Sequence, residues 1–173
     1  MKTRRIVSLA FFTALSVALH YLEGLIPFNV VPGFRIGLAN IISLFVLYYY
    51  GGLSFLFVTY LRVVLVGAIS TGFVSPSFMM SLFGATLSSF MSLLLYYFVK
   101  TSIFGTSVVS SLFHVIGQLL AYAIFFDSFY IFYYIIYLGP LSLASGLLIA
   151  FLCSILIKRL PDAYKLEEKK RRT

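Results

Sequence analysis

The sequence predicts an all-α integral membrane protein, a bundle of six transmembrane helices with both termini in the cytoplasm. Three observations predict it. Hydrophobic residues make up 61% of the 173 and charged residues only 10%, whereas soluble domains run at about 45–50% apolar and about 25% charged. Mean hydropathy is +1.04, and too few charged side chains exist to coat a water-facing surface. Finally, the apolar stretches come in lengths that suit a bilayer, and the basic residues gather at places that suit one orientation.

Spans of about 20 mostly apolar residues cross about 30 Å of hydrocarbon. Helix 1 is Ile6–Ile26, behind Lys2, Arg4 and Arg5. It has the outline of a signal peptide, but His20 and Glu23 stand where a small-residue cleavage site is needed, so it is read as a retained helix. Pro27, Pro32 and Gly33 mark an irregular connection to a short helix 2, Ile36–Tyr50. Gly51-Gly52 then leaves no room for a long loop before helix 3, Leu53–Gly72. Helix 4 is Phe78–Val99, helix 5 Gly105–Phe126 and helix 6 Phe129–Ile157, where Gly139-Pro140 is expected to introduce a kink. Residues 1–157 thus form one membrane domain, and residues 158–173 a basic cytoplasmic tail.

Six spans put both termini on one side. All but two of the 13 basic residues then fall on that side, the exceptions being Arg35 and Arg62. By the positive-inside rule that side is the cytoplasm and the membrane is the cell membrane. The formal charge of +8 therefore reads as topology, and nucleic acid is not an expected partner. One cysteine, Cys153, builds no internal disulfide. Asp127 and Asp162 are the only aspartates, so the Asp-rich motif that holds magnesium on a diphosphate cannot be assembled. A Walker lysine loop is missing too, so the chain does not hydrolyse ATP itself. A metal set from His20, Glu23 and His114 lacks any His-x-x-x-His pair or nearby cysteine. No catalytic residue, metal or cofactor is predicted.

Polar residues inside apolar spans are costly, which makes them informative. Arg62 lies near the middle of helix 3, where an arginine costs about 2.5–3.5 kcal/mol on insertion scales. It should therefore face a protein interior or a wet cavity. On helix 5, Ser107, Ser111, His114 and Gln118 share a face about 60° wide. His20 and Glu23 are three apart at the end of helix 1, as are Asn40 and Ser43 on helix 2. Arg35 precedes helix 2 on the extracytoplasmic side. Arg62, His114, Gln118, Asn40, Arg35, Glu23 and His20 are the candidate ligand-binding residues. The plain alternative is that these groups satisfy one another between helices, with Arg62 paired to Glu23 or Asp127.

Ala10, Ala14 and Ala18 recur every four residues on helix 1, a spacing that lets another helix approach closely. Glu23 falls about 180° from Ala14, so helix 1 has a small-residue face and an opposite polar face. Similar stripes run along helix 6 (Ser142, Gly146, Ala150, Ser154) and helix 4 (Gly84, Ser88, Ser92).

The segment LEGLIPFNVVPGFRIGLANIISLFVLYYYGG, Leu22 to Gly52, resembles the signature of the heptaprenyl diphosphate synthase component I family, also called the Gx transporter family. YLRVVLVGAIS (Tyr60–Ser70), SPSFMMSLFGA (Ser75–Ala85) and FHVIGQLLAYAIF (Phe113–Phe125) extend the resemblance across nearly the whole membrane region. That family resembles the substrate-binding S components of energy-coupling factor (ECF) transporters. The resemblance implies six helices, cytoplasmic termini and docking of Ala10, Ala14 and Ala18 on a coupling membrane subunit that works with two ATPases.

The expected function is therefore that of a membrane-embedded binding subunit for import of a small, anionic, amphipathic molecule. An isoprenoid phosphate or a quinone precursor would suit an apolar, Phe- and Tyr-rich interior with a few fixed polar groups. Arginine suits such an anion because its fork binds two oxygens. The alternative is a non-catalytic component I of heptaprenyl diphosphate synthase, anchoring a soluble prenyl diphosphate synthase subunit. In that case the tail Lys165–Arg172 is a candidate dock, its plainer reading being a topology signal attracted to anionic lipid.

Overall fold

The computed structural model describes residues 2–25 and 37–159. Of these, 91% are helical and none lies in a strand. Helix α1 is Lys2–Gly24, α2 Leu38–Tyr50, α3 Gly52–Val66, α4 Pro76–Leu94, α5 Ile103–Phe126 and α6 Ile135–Lys158. A π turn, Gly67–Thr71, continues α3 and another, Leu95–Val99, continues α4, while a 3-10 turn, Phe129–Tyr134, leads into α6.

Five of these stretches are long and apolar enough to cross a membrane: Arg5–Gly24, Gly52–Ser70, Pro76–Val99, Ile103–Phe126 and Phe129–Lys158. The chain is thus multi-pass. Helix α2 is shorter than expected, at 13 residues, or about 20 Å of rise. Its expected start at Ile36 lies outside the described residues.

Several boundaries differ from the expected ones for identifiable reasons. Helix α4 starts at Pro76 rather than Phe78 because the Ser75 hydroxyl accepts from the Phe78 N–H at 3.1 Å, with Pro76 at the first helical position. Helix α5 starts at Ile103 because the Ser102 hydroxyl accepts from the Gly105 N–H at 3.3 Å. Gly139-Pro140, where a kink is expected, lies inside a continuous helix. Helix α6 runs through Pro140, and the irregular backbone is the 3-10 turn that ends at Tyr134. A proline ring crowds the carbonyl four residues back, here that of Ile136, which also lies within α6.

Helix α2 is the centre of the bundle. Every residue from Ile41 to Tyr48 is buried, which is the signature of a helix packed all round. It touches α1, α3, α5 and α6. Around it Phe55 and Val58 of α3, Tyr96, and Ile149 and Cys153 of α6 complete the main core cluster. Gly51, at φ 88 in a region that favours glycine, ends α2 and passes directly into α3.

Charged groups from α1 meet α2 at both ends. Arg5 donates to the Tyr50 carbonyl at 3.2 Å and to the Ser54 hydroxyl at 2.6 Å, while the Glu23 carboxylate accepts from the Gly37 and Leu38 N–H groups. A cation at the C-terminus and an anion at the N-terminus complement the helix dipole. The Tyr48 hydroxyl lies 2.7 Å from that of Thr106 and ties α2 to α5. Because Thr106 keeps a bond to Thr101, Tyr48→Phe is expected to cost about 1 kcal/mol. The thermal midpoint in detergent should then fall by about 2–4 °C.

Helices α4, α5 and α6 pack side by side with α5 in the middle. Glycines set the spacing. A Cβ on Gly117 would stand 2.6 Å from the Phe83 carbonyl oxygen, and one on Gly146 would stand 2.9 Å from the Val108 Cα. The Ser107 hydroxyl closes the second contact by donating to the Gly146 carbonyl at 2.7 Å.

Candidate functional site

Arg62 is buried, with 6% of its surface exposed, on the face of α3 turned to α2. Its Nη1 donates to Asn40 Oδ1 at 3.0 Å. Asn40 sits in the first turn of α2, just after the two N–H groups that Glu23 accepts from. Glu23 is also buried, and its charge acts on Arg62. Three candidates spaced 17 and 22 positions apart in the chain therefore meet where α1, α2 and α3 converge. The antiparallel α2–α3 hairpin brings Asn40 level with Arg62, and α1 supplies the carboxylate.

His114 of α5 adjoins this group. Its ring stands against Gly84 of α4, and among the described residues its Nδ1 is buried without a hydrogen-bond partner. Gly84 is what allows this closeness, since a Cβ there would lie 2.9 Å from His114 Cε1 and 3.0 Å from Gln118 Cγ. Gln118 therefore packs against α4 one turn from His114.

The remaining candidates separate. Ser107 and Ser111 turn to α6, where both meet Gly146, so the polar face expected on α5 is shared between two helix contacts. His20 packs edge-on against the Tyr21 ring at 5.9 Å. Arg35 lies outside the described residues. Asp127 caps the C-terminus of α5 and is exposed, so between the two acids considered for Arg62, Glu23 is the one that interacts with it. Among the described residues no three of His, Cys, Asp and Glu group as they would around a metal ion.

Three buried hydroxyls add to the picture. Among the described residues, the oxygens of Ser43, Thr59 and Ser89 have no hydrogen-bond partner. Thr59 and Ser89 were not legible as candidates, although Thr59 stands three residues before Arg62 and so shares its helix face. An open, aromatic hollow of about 450 Å³ along the 3-10 turn, lined by Phe129, Tyr130, Phe132, Tyr133, Ile135 and Ile136, contains no charged group.

The three small-residue stripes have different fates. On α4 Gly84 and Ser92 are buried, and on α6 Ser142, Gly146 and Ala150 are buried, within the bundle. On α1 Ala10, Ala14 and Ala18 are all exposed, while Thr13, Ser16 and Glu23 face inward. The Ser16 hydroxyl donates to the Ala39 carbonyl at 3.1 Å, so the polar side of α1 holds α2 and the alanine side is left outward.

No curated protein and no solved structure matches the chain. The family described as heptaprenyl diphosphate synthase component I does, over residues 12–156. That range takes in α2 to α5, the buried polar group formed by Glu23, Asn40 and Arg62, and most of α1 and α6. By a match of this extent, the chain belongs to the heptaprenyl diphosphate synthase component I family.

Proposed function

We propose that the chain is a non-catalytic membrane subunit that holds an anionic, amphipathic molecule inside its bundle and acts only together with partner proteins. One observation carries the binding reading: Arg62, an arginine at the middle of a span, is buried against the neutral Asn40. Ionisable groups at such depth face a protein interior or a wet path and mark ligand or ion sites. An arginine fork with a neutral neighbour has donors to offer an oxyanion. In this reading α2 completes a sixth span, both termini face the cytoplasm, and the protein resides in the cell membrane.

Family membership favours the first choice of partner. The family's description is of one component of a heptaprenyl diphosphate synthase, so the expected partner is a second, soluble component that carries the chemistry. The ligand class is then a prenyl diphosphate or a close precursor.

A specific observation favours a second choice. Of three small-residue stripes, that of α1 alone is wholly exposed. Lipid gains nothing from small side chains, whereas a partner helix gains close approach. This supports the S-component reading, in which Ala10, Ala14 and Ala18 dock on a coupling membrane subunit served by two ATPases.

The deciding experiment is a mild-detergent pull-down of the tagged protein from its own membranes with wild type and Ala14→Leu. Recovery of a coupling subunit with two ATPases by wild type, reduced at least tenfold by Ala14→Leu, supports import. Recovery of a prenyl synthase subunit by both supports the synthase reading and removes the docking role of the stripe. Because Ala14 is exposed, the variant is expected to fold as wild type does.

A further inference from the structure

The N-terminus of α2 already holds an anion, and that anion belongs to the protein. Gly37 heads the helix without a side-chain cap. Glu23 reaches across from α1 instead, taking the Gly37 N–H on Oε1 and the Leu38 N–H on Oε2, the latter at 3.0 Å. Exposed N–H groups and the positive end of the helix dipole make such a terminus a natural seat for phosphate or carboxylate. Beside it stand Asn40 and the buried cation of Arg62.

The surroundings contain more polar capacity than one carboxylate uses. Ser43 and Thr59 are 4% and 3% exposed, and among the described residues neither hydroxyl has a hydrogen-bond partner. Ser43 lies three residues after Asn40 and Thr59 three residues before Arg62, so each shares the face of its neighbour. Because α2 and α3 are antiparallel, both steps run the same way, about 4.5 Å further into the bundle. Buried polar atoms left unpaired are destabilising, and a head group with several oxygens would pair them.

We infer that Glu23 is an internal stand-in for the ligand's head group. The seat formed by the Gly37 and Leu38 N–H groups, Asn40 and Arg62 takes an oxyanion of phosphate or carboxylate type, and the incoming anion displaces the Glu23 side chain. This rests on the reading that the bundle interior takes an anionic ligand, and it adds where the charge goes and what must leave.

The test uses small anions as probes and needs no prenyl ligand. Full-length wild type, Glu23→Ala and the Glu23→Ala/Arg62→Ala double variant are purified in detergent. Their thermal midpoints are then followed against sodium phosphate and sodium formate at constant ionic strength set with chloride. An emptied seat fills from solution, so Glu23→Ala should start below wild type and rise saturably, by about 5–10 °C well above the dissociation constant. Wild type, in which the Glu23 carboxylate competes for the seat, should respond only at much higher anion concentration, and the double variant should not respond. A larger response to phosphate than to formate identifies a phosphate head, and the reverse identifies a carboxylate.

Equal responses of Glu23→Ala and wild type overturn the inference. If Glu23→Ala does not survive extraction, Glu23→Gln removes the charge and keeps an acceptor; its response beyond that of wild type supports the seat, and its silence overturns it. The underlying reading fails separately. Phosphate rescue of Glu23→Ala together with prenyl diphosphate binding unaffected by Arg62→Ala would keep the seat and remove the proposed ligand class.

Discussion

Arg62→Ala is expected to lower binding of a prenyl diphosphate by about 100- to 3,000-fold while the protein remains folded. The magnitude follows from removing one partner of a buried charge pair, which costs about 3–5 kcal/mol, or roughly two to three and a half decades in affinity. In the unliganded protein the loss is smaller. Asn40 Oδ1 loses a donor, but the Glu23 carboxylate keeps the two N–H groups of α2. Arg62→Lys separates charge from geometry, since lysine keeps the cation but not the planar fork. It should recover part of the affinity and not all of it. The measurement is equilibrium binding of labelled prenyl diphosphate to variants whose size-exclusion profile matches wild type. Unchanged affinity in a well-folded Arg62→Ala would make the arginine a packing element and nothing more.

Gly117→Leu is expected to abolish the folded bundle, and Gly117→Ala to cost about 1–3 kcal/mol. The Cβ of either residue would stand 2.6 Å from the Phe83 carbonyl oxygen and 2.8 Å from the Gly84 Cα. Both obstacles are backbone, so no rotamer change relieves them and α4 must move away from α5. That movement would also open the close contact of Gly84 with His114 and Gln118. Gly24→Ala serves as the control, because a Cβ there meets nothing within 4 Å among the described residues, and its effect should stay within about 0.5 kcal/mol. Yield of monodisperse protein and thermal midpoint in detergent give the comparison. A Gly117→Leu protein as stable as wild type would contradict the close α4–α5 approach.

Particular residues show how much of this was legible beforehand. Arg62 stood out because a cation in the middle of an apolar span is expensive wherever the helix turns, so composition alone marks it. The opposite faces of α1 were legible for a similar reason: helical periodicity places Glu23 and Ala14 on opposite sides, and Glu23 is buried where Ala14 is exposed. The helix starts at Pro76 and Ile103 were displaced by Ser75 and Ser102, whose capping is a local signal that apolar periodicity passes over.

The all-helical, multi-pass character of the chain was determined by the sequence by itself. Burying backbone polar groups in hydrocarbon leaves the helix as the form in which one segment satisfies its own hydrogen bonds. Only the tertiary structure decided which polar residues meet. Glu23, Asn40 and Arg62 come together because the α2–α3 turn fixes one register and α1 packs antiparallel to α2. Ser107 and Ser111, on the same periodic face as His114, instead go to Gly146 on α6. Tertiary structure also decided which small-residue stripe stays outward. Periodicity is a property of one helix and states which residues share a side, whereas the neighbour on that side is chosen by long-range packing that no local pattern encodes.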